Sequence, residues 1–305
     1  MASTPLNFTS ASSTAIDLSR LPPPDVVEAL SFEAIYTRRR ADFLALYPQF
    51  TAFVESDPAI KLLETGAYAE LVLRQRINDT ARSVMIAYAR GGDLDNLAAV
   101  FGVVRRVITP ANPPLVPAAI MESDDDLRRR VLLAPDSYSV AGPASAYVYH
   151  ALSADGDVLD ASAVSPRPGE VTVSILSRLG NGTASPALLA IVRDLLAGDE
   201  VRPLTDRVTV QSAQLVPFNV NAQLTLYPGP DAQLILTTAT AALGQLLAAN
   251  RRLGRNISRS AIIASLHVAG VQNVNLVEPV ADVFIEQTQV ADAGTIEVTI
   301  AGFDE

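Results

Sequence analysis

Residues 57–92 read DPAIKLLETGAYAELVLRQRINDTARSVMIAYARGG, and this stretch decides the first half of the fold. Asp57 before Pro58 is a helix start: the carboxylate accepts from a free first-turn N–H, and proline at the first helical position gives up a donor that had no partner. Apolar residues then recur by threes and fours at Ile60, Leu63, Ala67, Leu71, Ile77, Ala81, Val84 and Tyr88, with one gap. Gly91-Gly92 reads as the left-handed stop. At about 1.5 Å per residue such a helix reaches roughly 50 Å, long for a globular core. Leu62, Leu73 and Met85 lie off the inward stripe and make a second apolar face, a candidate contact with another chain.

Upstream, Asp25 is placed to cap a helix running through Phe32, Ile35, Phe43 and Leu46 until Pro48. Residues before it are rich in Ser, Thr and Pro and end in Leu21-Pro22-Pro23-Pro24, an extended arm with Ile16, Leu18 and Leu21 as its regular apolar anchors. Downstream, Asp93 is expected to cap a short helix over 94–101, closed by Gly102. The run RRVITPANPPLVPAAI then reads as a linker. The remainder alternates helix and strand. Ser145-Ala146 opens a helix ended by Gly156, with strands over 158–164 and 171–173. Ser260-Ala261 opens a helix ended by Gly270, with strands over 271–277 and 296–300. Between these units lie helices over 186–196 and 232–250 and strands over 207–211 and 218–226. The expected architecture is α+β: an arm over 1–24, a helical domain with the long helix over 25–104, a proline-rich linker over 105–120, and two small α/β modules over 121–213 and 214–305.

Composition narrows function. The 305 residues hold no cysteine, two histidines and a net charge of −10. No disulfide framework, thiolate zinc site or thiol nucleophile is possible. An acidic chain lacks the basic footprint that phosphate backbones require, so nucleic acid is not an expected partner. Lys61 is the only lysine among the 23 basic residues; arginine suits desolvated pairs and protein interfaces. Residues 1–14 lack a basic n-region and an apolar h-region, so no cleaved signal is expected. Residues 232–250 are helix-like but include Gln233, Thr237, Thr238, Thr240, Gln245 and Asn250, so no membrane insertion is expected.

The chemistry-bearing residues read as structural. Asp124, Asp125 and Asp126 follow Ser123 and precede three arginines, the pattern of a capped helix start rather than a metal site, and successive carboxylates point to different faces. Gly180-Asn181-Gly182 follows a strand but lacks the lysine of a phosphate loop and reads as a turn. His150 and His267 belong to no H-x-x-x-H pair, and no G-x-S-x-G elbow supplies a nucleophile. Arg38, Arg39 and Arg40 read as a solvated helix face. Arg251, Arg252 and Arg255 surround a helix end whose free carbonyls they can satisfy, and are candidate subunit contacts. No enzyme activity, cofactor or metal is expected. The competing class is a cell-wall hydrolase whose paired acids converge from distant positions.

Long strings carry a resemblance. IDLSRLPPPDVVEALSFEAI, LLETGAYAELVLRQRINDTARSVMIAYARGGDLDNLAAVFGV, ESDDDLRRRV, SVAGPASAYVYHALSADGDVLDASAVSPRPGEVTVSILSRLGNGTAS, VRPLTDRVTVQSAQ, LTLYPGP and RRLGRNISRSAIIASLHVAGVQNV resemble the baseplate assembly protein J family of contractile-tailed bacteriophages over nearly the whole chain. The resemblance implies a structural wedge protein of the tail baseplate, without catalysis, assembled in the host cytoplasm and carried in the virion. It implies as partners a second copy in a wedge dimer, a baseplate protein I homologue, a protein W homologue that joins the ring to the sheath, and hub and tail-fibre components. Six wedges would close a ring around the tail hub. Residues 2–14 depart from the family pattern.

Overall fold

The computed structural model describes residues 29–51, 53–113, 115–139, 141–198, 201–229 and 231–304. Its described parts fall into two compact units, one ending at Val104 and the other beginning at Arg105. The fold is α+β, with helices first and strands in small sheets after them. The arm anchors Ile16, Leu18 and Leu21, and the Asp25 cap, lie outside the described residues.

In the first unit, helix α1 (Phe32–Leu46) starts at Ser31, whose hydroxyl accepts from the Ala34 N–H at 3.2 Å. The two described residues before Ser31 are not helical. Helix α2 (Pro58–Ser83) begins as expected, with Asp57 accepting from the Ala59 N–H at 2.8 Å. It is shorter than expected, about 39 Å at 1.5 Å per residue, and Gly91-Gly92 does not close it. The Ser83 hydroxyl bonds back to the Thr80 carbonyl, and the chain turns over residues 84–88. Met85 O collects the N–H groups of Tyr88 and Ala89 at 2.9 and 2.8 Å. Gly91, at φ +51°, instead opens helix α3 (Gly91–Val100), whose cap position Arg90 makes no side-chain cap bond. Asp93 therefore sits inside the first turn rather than capping it. Gly102, at φ +70°, follows the end of α3 as expected.

The single gap in the apolar spacing of α2 conceals a change of face. At 100° per residue, Ile60, Ala67, Leu71 and Asn78 fall within about 40° of one another, and Ile60, Ala67 and Asn78 are the buried residues of the helix. Ile77 and Val84, assigned inward by spacing, are 50% and 66% exposed. A buried asparagine continues the stripe where a count of apolar letters jumps off it.

The second unit opens with strands β1 (Val107–Thr109) and β2 (Ile120–Met121), an antiparallel ribbon made by the proline-rich stretch read as a linker. Helix α4 (Asp124–Leu133) follows, capped by Ser123 on the Asp126 N–H. The first α/β module holds α5 (Ala144–Ala154), β3 (Val158–Arg167), β4 (Glu170–Ser177), α6 (Pro186–Leu196) and β5 (Arg207–Ser212). The second holds β6 (Gln214–Leu226), α7 (Ala232–Asn250), α8 (Arg259–Leu266), β7 (Val271–Glu278) and β8 (Gln289–Phe303). The helix starts shift from the expected serines: α5 follows Pro143, and α8 is capped by Ser258 rather than opened at Ser260. Gly156 does not end α5 by a left-handed turn. It is required because a Cβ there would lie 2.4 Å from the Val107 carbonyl oxygen.

Both modules carry the same three-stranded sheet in a different chain order. Central β4 is flanked by antiparallel β3 and parallel β5; central β6 is flanked by antiparallel β7 and parallel β8. The helix–strand pairs α5–β3 and α8–β7 correspond, as the repeated sequence pattern suggests. The next strand does not correspond: β4 is a sheet centre, whereas β8 is an edge. Each sheet buries one face under its helices. Tyr147, Val173, Ile175, Val192 and Leu196 fill the first core, and Leu224, Leu243, Ile262 and Leu266 the second. By length and composition alone α7 is apolar enough to cross a membrane. Its Ile235, Ala239 and Leu243 belong to the second core, and the hydroxyls of Thr237, Thr238 and Thr240 bond the carbonyls four residues back.

Candidate interaction surfaces and the seam between modules

The three consecutive aspartates separate as helix geometry requires. Asp124 pairs with Arg105 at 2.7 Å and exposed Asp125 with Arg128 at 2.7 Å. Asp126 turns inward and takes two arginines, Arg178 at 2.8 Å and Arg252 at 2.7 Å. Arg178 comes from the end of β4 in the first module and Arg252 from the turn after α7 in the second. One carboxylate thus ties α4 to both modules. Burial acts to raise the Asp126 pKa, but Arg252 and then Arg178 outweigh it and hold the group below the ordinary carboxylate range.

Around Asp126 the seam carries further hydrogen bonds and ion pairs. Arg252 also donates to the Leu159 carbonyl at 2.5 Å, and Arg178 to the Gly156 carbonyl at 3.0 Å. Buried Asp160 accepts from the Leu253 N–H at 2.8 Å, across the modules, and from the Ala161 N–H at 2.8 Å, and it pairs with Arg129 at 2.6 Å. Leu176, Ala213, Leu253 and Val290 supply an apolar patch beside it. A second buried pair lies nearby: Arg130 donates to both Glu122 oxygens at 2.8 and 2.6 Å. Of the arginines read as subunit contacts, Arg252 is committed inside the chain. Arg255 donates to the Ala249 carbonyl at 3.0 Å, the expected helix-end bond. Arg251 lines a cleft with Asn181 and Asp292.

The histidines sit in structural surroundings. Burial lowers the His150 pKa, a hydrogen bond with the Ser137 backbone opposes that shift, and the ring meets Tyr149 edge-on at 5.3 Å. His267 is the C-cap of α8. Among the described residues no three His, Asp or Glu side chains converge as a metal group would require.

Exposed large apolar residues are spread over the described surface, among them Leu46, Leu204 and Val280, and α2 carries a row of them on one side. Leu62 and Leu73 are 74% and 58% exposed, and eleven residues of helix bring them to the same side three turns apart. Ile77 extends their stripe. Met85 falls beyond the helix end and is half-buried, so it does not continue the face as a helical residue would. On the flank of α2, Glu70 gathers Arg38, Arg39 and Arg74. Arg38 is the largest influence, and the three together lower the Glu70 pKa to about 2. Arg40 stacks over Phe53 at 4.2 Å. The Arg38–Arg40 run lies on a solvated helix face with an acid at hand, as expected, and there it pairs with Glu70 and stacks on Phe53. Gly66 is where Arg39 crosses α2, since a Cβ there would meet its guanidinium at 2.7 Å.

Sequence reasoning missed Asp126 and Asp160 as centres of the seam because their partners lie 52–126 and 93 residues away, respectively. Glu70 was within reach: Glu70 and Arg74 sit four apart on one helix, in the favourable order.

Three family models match the chain in sequence order: the Baseplate J-like N-terminal domain over residues 55–112, the central domain over 139–212 and the C-terminal domain over 218–299. Baseplate protein J of Escherichia phage P2 is 49% identical over 299 residues, spanning 95% of this chain and 99% of that protein. A chain in the six-fold symmetrised cryo-EM structure of the anti-feeding prophage baseplate overlaps 56% of this chain and 42% of its own length, at 14% identity and a TM-score of 0.40. That likeness is too slight to argue from.

Proposed function

The chain belongs to the Baseplate J-like family, and from that premise we propose that it is a structural component of a phage or phage-tail-like contractile baseplate, built into the wedge ring around the tail hub. The near end-to-end identity with a baseplate protein is the observation that carries this reading. Its work is done by surfaces. Repeated heterologous contacts build closed rings, and such contacts need exposed apolar patches on rigid elements rather than pockets. The Leu62–Leu73–Ile77 stripe of α2 is the patch this reading assigns to a neighbouring subunit, with Met85 at its margin and Arg251 and Arg255 as further contacts. The partners are a second copy within the wedge, a protein I homologue, a protein W homologue, and hub and tail-fibre components. Assembly takes place in the host cytoplasm and the product is carried in the virion.

Labelling purified particles with an antibody to this chain tests the proposal. Label at the tail tip, in multiples of six copies per particle, is the expected result. Label on the capsid, or none on intact tails, overturns it.

A further inference from the structure

We infer that the free edge of β8 is a docking site for an extended, basic segment of another protein, added to the second sheet as a fourth strand. Strand β8 is an edge of the sheet ordered β7–β6–β8, and among the described residues only β6 pairs with it. An edge strand exposes a row of backbone donors and acceptors, and proteins that do not use such an edge blunt it with proline, charge or brevity. The other edges here are blunted. β3 carries Pro166 and Arg167, β5 has six residues beginning at Arg207, and β7 has eight residues and runs into Pro279. β8 has fifteen residues without Pro, and its charges, Asp292 and Glu297, are both acidic. Its stretch from Ile296 to Ile300 pairs with β6 in unbroken register, between two bulges.

The side chains on this edge are left incomplete. Val298 and Ile300 reach the second core yet are only partly buried, and Ile296 is 41% exposed. A further strand would continue the apolar face that these three begin. A cleft of about 360 Å³ opens along the first half of the same strand, lined by Ala291, Asp292 and Ala293 with Phe218, Leu247 and Arg251, and offers the segment a mixed apolar and polar anchor.

Charge chooses the occupant. Residues 260–305 hold seven acidic side chains and no lysine or arginine, and exposed Glu297 lies in the middle of the open stretch. A second copy of β8 would bring acids to acids. Nucleic acid and anionic lipid would be repelled in the same way. A strand alternating apolar residues with Lys or Arg satisfies both the backbone and the field.

The test uses the full chain and two synthetic peptides, KVTVRVKVTG and its acidic counterpart EVTVEVEVTG, read by fluorescence anisotropy and hydrogen–deuterium exchange. The basic peptide is expected to bind saturably, to slow exchange over residues 296–302, and to bind more weakly as salt rises. Ile296→Lys should weaken it at least tenfold and exposed Glu297→Lys several-fold, with the circular dichroism of both variants unchanged. Equal binding of both peptides, protection elsewhere, or no binding overturns the inference. So does an edge already protected in the free chain, whether released by deleting residues 1–24, which would assign it to the chain's own arm, or by dilution, which would assign it to a second copy. The readout involves no baseplate component, so its failure leaves the family-based function untouched.

Discussion

Replacing Leu73 with aspartate separates a folded chain from an assembling one. Leu73 is 58% exposed on α2, opposite the stripe where Ile60, Ala67 and Asn78 are buried. In the free chain the change removes little buried area. Its cost is the poorer helix propensity of aspartate, about 0.5 kcal/mol, within the range of ordinary surface substitutions. In an assembled interface the same carboxylate would be desolvated against apolar side chains without a partner, which costs several kcal/mol. Since 1.4 kcal/mol is tenfold in affinity, a loss of about 3–4 kcal/mol weakens association by roughly 100- to 1,000-fold. Thermal melting of the variant and mass photometry of its mixture with neighbouring tail proteins read the two quantities separately. A melting temperature within about 2 °C of wild type, with assembly lost, is the expected pair. An unfolded variant would show that this face belongs to the chain's own core, and unchanged assembly would show that it meets nothing.

Asp126→Asn leaves Arg178 and Arg252 facing each other without their anion and should cost about 2–4 kcal/mol in urea unfolding, somewhat less than the about 3–5 kcal/mol of a broken buried pair because both arginines reach solvent. The Asp126 pKa is depressed on folding, so this stabilisation is fully present above the unfolded value near 3.9 and is lost as pH falls through the folded value. The gap between variant and wild type should hold from pH 5 to 7 and narrow below about pH 4; a constant gap down to pH 2 would refute the pairing. Gly156→Ala forces a methyl group to within 2.4 Å of Val107 O, and should destabilise the second unit by about 1–3 kcal/mol by the cost of overpacking, whereas a neutral result would mean the β1 ribbon yields. Deleting residues 1–21 should weaken assembly while leaving the melting temperature of the free chain unchanged; full assembly by the truncated chain would remove any strap role for Ile16, Leu18 and Leu21. The purified chain should release no labelled peptidoglycan, and steady release would revive the hydrolase reading.

Local signals made the elements legible. Asp57-Pro58, Ser123 and the bounds 186–196 and 232–250 match the observed helices because caps and periodicity act within a few residues. The same localism explains the failures. Gly91-Gly92 looked like the end of α2, but glycine permits a left-handed φ on either side of a helix, and the turn at residues 84–88 had already ended it. Asn78 was invisible as a core residue because its burial depends on neighbours rather than on its own polarity. Arg252 looked like a surface cation, yet its carboxylate partner, Asp126, lies 126 residues earlier in the chain. The two sheets share one layout under permuted chain order, which a linear comparison matched for one helix–strand pair and then lost.

The central claim is that this chain works by assembly, and the mass of the complex it forms tests that most directly. Native mass spectrometry would be run on the purified chain, first alone and then mixed with the protein I and protein W homologues from the same tail gene cluster. The account predicts a discrete complex holding two copies of this chain, absent for Leu73→Asp. A chain that keeps its own mass in every mixture, with wild type and Leu73→Asp indistinguishable, would contradict it.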